Sequence, residues 1–198
     1  MNNKNKRWPP KSCEMPDLSK LNDMVMLALM LNRDLRGGGP KDHISYALVA
    51  NFIRVADQTL QEYKAARNAL LEYINRPNNN VFGPLFRAIG HCEICLISLN
   101  RSINFAKRIQ QDRNTLQIPR NLSVLSGAVT ERIRNFRNAI EHLDKDILNG
   151  KIQKGEPVSL LVNSDSIELL GEEIYFKEIV VWIQELNSLA STLGTYTE

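Results

Sequence analysis

The chain has 198 residues, 43% of them hydrophobic and 24% charged, with 10 glycines, 8 prolines and 7% aromatics, a composition that excludes fibrous repeats and intrinsic disorder. A chain of this length buries roughly 70% of the surface it exposes when unfolded, which predicts one domain with a sizeable core. The net charge of +3 hides an asymmetry, because residues 101–137 carry eight Lys/Arg against two acids, whereas residues 138–198 carry four against eleven, so a basic surface can face an anionic partner.

Residues 1–17 read as a flexible basic arm, polar and broken by proline, without the apolar stretch of a signal peptide. The three cysteines, an odd number, point to reduced thiols and a cytoplasmic setting rather than a disulfide framework. The longest apolar run, Met24 to Leu31, is far below the roughly 20 residues that span a bilayer, so no membrane partner is expected.

Residues 18–198 read as a single, mainly helical domain. Leu18 to Arg36 is apolar-periodic, with Asp17 or Ser19 as N-cap and Gly37-Gly38-Gly39-Pro40 as stop, and makes helix one. Asp42 to Arg76 has no glycine or proline and carries Val49, Ile53, Ala56, Leu60, Tyr63 and Leu70 at three-and-four spacing, a long helix two. Helix three runs from Pro84 to about Gln111 on a stripe of Leu85, Ile89, Cys92, Leu96, Leu99, Ile103 and Ala106. Helix four is expected from Ser123 to Asn149, with Leu125, Val129, Phe136, Ile140, Leu143 and Ile147 inward and Gly150 as stop. Short β-prone pieces then follow, a hairpin or meander at about 157–176, and Lys177 to Leu193 is helical again. The predicted fold is an antiparallel bundle of four long helices with a small β element and a C-terminal helix packed on it.

Only three histidines need weighing. His43 falls near the cap of helix two and reads as a solvated residue. His91 and Cys95 are an i,i+4 pair that would share a helix face toward a metal, but four ligands are wanted and the only cysteine outside this stretch is Cys13. Small core positions for both helix-three thiols are the better reading, and neither a metal nor a cofactor is expected.

His142 belongs to Arg134-Asn135-Phe136-Arg137-Asn138-Ala139-Ile140-Glu141-His142. At about 100° per residue from Phe136, Ile140 and Leu143 fall on the core side at about 40° and 340°. Arg137 falls at about 100°, Glu141 at 140°, Arg134 at 160°, Asn138 at 200° and His142 at 240°, one polar wedge facing away. Asn138 and His142 are i,i+4 neighbours, so the amide is placed to orient the imidazole. Arg137 and His142 lie about 140° apart, too far for one compact pocket on a lone helix but within reach of a ligand lying across the face or of a site where two copies meet.

Arg137-Asn138-Ala139-Ile140-Glu141-His142 resembles the arginine, polar residue, three variable residues, histidine signature of HEPN domains (higher eukaryotes and prokaryotes nucleotide-binding). In that family the signature lies near the end of a long helix in an all-α bundle. The resemblance implies a metal-independent endoribonuclease of the toxin or antiviral-defence kind, acting on RNA as a homodimer through helix four, with an antitoxin or regulatory protein as a further partner. It implies catalytic roles for Arg137, His142 and Asn138. Arg134 and the basic stretch from Arg101 to Arg132 would guide RNA, and Glu93 and Arg101, polar in the apolar middle of helix three, would line the cleft or form a structural salt bridge. Many such toxins carry a nucleotide-accepting tyrosine two places after the histidine; here that position is Asp144, which argues against that form of regulation.

Two other readings of the same residues stand beside this one. Arg137 and Glu141 would be an ordinary exposed i,i+4 pair, with His142 paired to Asp146. Alternatively the polar face belongs to a non-catalytic module that binds a nucleotide or a partner helix.

Overall fold

The computed structural model describes residues 8–21, 25–36, 38–76, 81–112, 121–150, 152 and 159–195. Its elements are α1 (Val25–Arg36), α2 (His43–Ile74), α3 (Gly83–Gln111), α4 (Gly127–Glu141), α5 (Leu143–Leu148), β1 (Leu161–Val162), β2 (Ser166–Leu169), β3 (Glu172–Tyr175) and α6 (Phe176–Gly194). Among the described residues the fold is mainly α, about 70% helix, with one small antiparallel sheet.

The uninterrupted apolar stripe of the second helical stretch makes α2 the longest element, and the Asp42 carboxylate caps it by accepting from the Ser45 amide at 2.8 Å. α3 returns antiparallel beside it. Arg87 donates to Glu72 at 2.6 Å near one end, His91 Nδ1 meets Glu62 at 2.7 Å midway, and Ser45 Oγ donates to Asp112 at 2.5 Å at the other end. Between them Val49, Phe52, Ile53, Leu60 and Leu70 of α2 and Leu85, Leu96, Leu99 and Ile103 of α3 share one core, all fully buried. Each such side chain contributes about 1.5–3 kcal/mol on burial. α6 packs along α2 with Ile179, Ile183 and Leu186 buried, and its end closes on α1, where a Cβ on Gly194 would stand 3.3 Å from the Val25 carbonyl oxygen.

The sheet has order β1-β2-β3, with Leu161 opposite Glu168 and Ser166 opposite Tyr175. Leu170 (φ 49°) and Gly171 (φ 78°) connect β2 to β3, a two-residue turn with both φ positive, the form that matches the twist of a hairpin. Val162, Ile167, Leu169 and Ile174 turn inward and join the helical core.

α4 leans on α3 through Ile133 and Phe136 and is held at both flanks. The Glu185 carboxylate of α6 accepts from the Ser123 amide at 3.1 Å and the Val124 amide at 2.8 Å, capping the short 3-10 turn before α4. Arg132 donates to Glu178 at 2.7 Å and to the Glu173 carbonyl, so α4 is tied to the junction of β3 and α6. Lys107 Nζ reaches Thr130 Oγ1 at 3.0 Å from α3.

Three sequence expectations change. The segment expected to be a loose arm packs down over residues 8–21: Met15 and Leu18 are buried, Tyr63 donates to the Pro16 carbonyl at 3.1 Å, Arg67 to the Met15 carbonyl at 3.0 Å, and the Glu14 amide to the Ser164 carbonyl at 2.7 Å. Two apolar side chains and backbone carbonyls within reach of α2 suffice to hold it; residues 1–7 lie outside the described residues. Helix one is described from Val25, and residues 18–21 are not helical, since Asp17 accepts from Ser19 at 2.8 Å in a local turn. The fourth helix is not continuous over 123–149. It begins after Ser126, whose hydroxyl accepts from Val129, and it breaks at His142 (φ −117°, ψ 14°), where Asp144 and Asp146 in the first turn of α5 favour a new helix start. The break leaves Ile147, expected inward, exposed together with Leu148. Val158 of the predicted β element lies outside the described residues; β1 begins at Leu161.

No helix among the described residues is long and apolar enough to cross a membrane.

Because Glu185 satisfies two backbone donors at the root of α4, Glu185→Ala is expected to lower unfolding free energy by about 1–3 kcal/mol, and Glu185→Gln by less. Chemical denaturation measures it; an unchanged midpoint would show that the turn needs no cap.

Candidate functional site

The polar wedge of α4 lies along a groove against α3. From α3 come Asn100, Arg101, Asn104 and Lys107, and from α4 Thr130, Arg134, Arg137, Asn138 and Glu141, around a volume of about 430 Å³. Four cations line it against a single carboxylate. The polar strip continues past Lys107 to Arg108 and Gln111 at the end of α3. Asn100 is buried, so its amide is held in place, whereas Arg101 and Arg134 are exposed and free to follow a bound anion.

Arg137 is half-buried and already engaged. Its guanidinium meets Glu141 at 2.5 Å, the i,i+4 pair foreseen as the ordinary alternative, and donates to the Asn138 side-chain oxygen at 3.0 Å. Asn138 was expected to orient His142 through its amide. Its side-chain oxygen instead accepts from Arg137, and its link to His142 is the helical hydrogen bond from the His142 amide to the Asn138 carbonyl at 3.0 Å. Arg134 meets Glu131 at 3.6 Å in an exposed pair, a contact that solvent largely screens.

His142 is exposed at the break between α4 and α5 and faces a second, shallower depression of about 450 Å³ shared with Asn135, Asn138, Lys145, Asp146 and Asn149. Arg137 and His142 therefore open onto different concavities of one chain, as their angular separation on the helix requires. Asn138 lines both.

Glu93 is half-buried on α3, one turn before the Ile97 end of the groove, and is not among the residues lining it. Burial raises its carboxyl above the usual range. Groove positions that the sequence reading did not single out are Asn100, Asn104, Lys107 and Thr130, although Lys107 falls within the basic stretch 101–132. The polar run 100, 101, 104, 107 along α3 carried a signal for the first three, but nothing in the sequence says which helix covers it.

The remaining histidines and thiols serve elsewhere. His43 is exposed in the first turn of α2. His91 bridges to Glu62, and Cys95, which would have shared its face, is turned inward to the Thr59 carbonyl at 3.6 Å. Burial pushes the Cys92 thiol up to about 12 and the Cys95 thiol well above its ordinary value, so both stay protonated small core groups. No group of three or more metal-ligating side chains is found among the described residues.

Set against family models, curated proteins and solved structures, the chain matches none.

Glu93 gives a pH test. Its carboxyl titrates higher in the folded chain than in the unfolded one, so the protonated group is favoured by folding at low pH and that contribution is lost as pH rises through the folded value. Glu93→Gln is therefore expected to be more stable than wild type at neutral pH, with the gap closing below about pH 4, near the unfolded carboxylate value. Thermal melts across pH check it; a gap that does not vary with pH would place Glu93 in solvent.

Proposed function

We propose that the protein is a metal-independent endoribonuclease of HEPN type, acting as a defence or toxin–antitoxin effector, with RNA lying in the α3–α4 groove. The observation that carries the reading is the groove itself: four cations along one face, ending at Arg137, with Asn138 linking it to the exposed His142. Such a surface suits a polyanion, since phosphate contacts supply most of the affinity for nucleic acid.

The chemistry fits these residue types. Cleavage through the neighbouring 2′-hydroxyl forms a bond from the 2′-oxygen to phosphorus and breaks the bond to the 5′-oxygen. One proton leaves the 2′-oxygen and one reaches the departing 5′-oxygen, leaving a 2′,3′-cyclic phosphate and a 5′-hydroxyl. An imidazole with an unperturbed pKa of about 6.5 can accept or deliver these protons near neutral pH. A guanidinium donates in a fork to two phosphate oxygens and stabilises the dianionic phosphorane. Because Arg137 and His142 open onto different concavities, the site is completed by a second copy meeting the first along α4 and α5, where Ile147 and Leu148 offer exposed apolar surface. Glu141 holds Arg137 until phosphate displaces it. That same ion pair favours the second reading, a non-catalytic binding module in which Arg137 stays neutralised.

Wild type is expected to cut single-stranded RNA in EDTA, leaving cyclic phosphate ends, and to run as a homodimer in light scattering. Arg137→Ala and His142→Ala should each lower the rate by at least about 100-fold. Both should melt within a few degrees of wild type, since exposed substitutions shift stability by less than about 0.5 kcal/mol and the half-buried Arg137 pair adds little more. Phe136→Ala should cost about 3–5 kcal/mol while leaving the chemical groups in place. Intact RNA under all conditions favours the binding module; cleavage only with added divalent ions, or full activity in a monomer, overturns the mechanism.

A further inference from the structure

Far from the groove, at the end where α2 gives way to α3, four aromatic rings gather at the surface. Trp8 stacks on Phe82 with centroids 6.4 Å apart and planes within 9°. Tyr73 stacks on the same ring at 6.2 Å and 26°, and Phe86 lies 6.4 Å from it, tilted by 43°. These are offset-stacked separations. Tyr73 is buried and anchors the set, and Phe82, 38% exposed, is stacked by both Trp8 and Tyr73, whereas Phe86 is 63% exposed and Trp8 42%, so aromatic surface of these two stands in solvent.

The border of this cluster is cationic. Arg87, next to Phe86 in α3, and Arg76, one turn after Tyr73, both bind the Glu72 carboxylate, Arg87 at 2.6 Å. Two guanidinium groups share one carboxylate, which leaves a net positive charge and unused donors beside the rings. All three side chains are substantially exposed.

We propose that Trp8 and Phe86, held by their contacts with Phe82, form a stacking platform for the bases of single-stranded RNA, with Arg76 and Arg87 taking the adjacent phosphates. The site rests on the RNA reading above and deepens it by naming how the strand is held outside the groove. Flat exposed rings beside arginines suit a base and its phosphate, because every base has a face to stack and the contact needs no sequence. Phe86 lies 15 residues before Arg101 on α3, about 22 Å along the helix axis, so the platform is a contact separate from the groove. It therefore binds unpaired nucleotides flanking the cut and disfavours duplex, whose bases are already stacked.

The test is binding to a short 2′-O-methyl oligouridine, which has no free 2′-hydroxyl and cannot be cut by the proposed chemistry. The chain has two tryptophans, and Trp182 is 4% exposed, so fluorescence quenching on titration reports Trp8. Wild type should show saturable quenching. Phe86→Ala should weaken binding about 5- to 150-fold, the range for one lost base stack, and Phe86→Tyr should restore it. Trp8→Phe should bind nearly as wild type without the quench. The proposal is overturned if wild type neither binds nor quenches, if Phe86→Ala binds as tightly as wild type, or if Phe86→Ala instead abolishes self-association, which would make the rings a contact between copies. Quenching by a wild type that leaves unmodified RNA intact supports the platform and overturns only the nuclease reading.

Discussion

The antiparallel seam between α2 and α3 is the constraint on which the other elements depend. Its apolar stripes bury a continuous row of side chains, while the polar contacts at Glu72–Arg87, Glu62–His91 and Ser45–Asp112 fix how far one helix has slid along the other. Sliding the register by one turn would break all three and misalign the stripes. Because α3 is fixed in this way, its outward polar positions become a rigid wall against which α4 can build a groove.

α4 itself is a weakly apolar helix. Only Ile133 and Phe136 are buried on it, which is little for 15 residues, and the shortfall is met by Arg132 binding the β3–α6 junction and by Glu185 capping the turn before it. The small sheet and the C-terminal helix therefore act as a bracket for the candidate site. That arrangement leaves the opposite face of α4 free of packing duties, so Arg134, Arg137, Asn138 and Glu141 can meet an anion without disturbing the core.

The break at His142 has a related effect. The angular position of the histidine already turns it from the groove, and ending α4 one residue before it places it beside α5, next to Lys145 and Asp146. One copy thus presents Arg137 and His142 on two sides of Asn138. A substrate reaching both must cross Asn138 or be met by a second chain.

The sequence by itself determined the helical class, the extents of α2, α3 and α6, the small β element before the last helix, and the outward direction of the Arg137–His142 segment. These follow from local periodicity and from the absence of glycine and proline within stretches such as Asp42 to Arg76, which a single chain segment carries within itself. Tertiary structure decided the rest. Residues 8–21 dock because Met15 and Leu18 find apolar surface and carbonyls find donors on α2, partners more than 40 residues away. Helix four breaks at His142, where Asp144 and Asp146 favour a new helix start, and Ile147, in phase with the stripe along the sequence, ends in solvent beyond the break. Asn100, Asn104, Lys107 and Thr130 became groove residues only when α4 came to rest on α3. Asn138 turned to Arg137 rather than His142 because the side-chain oxygen follows the nearest cation, a choice that spacing along a helix cannot make.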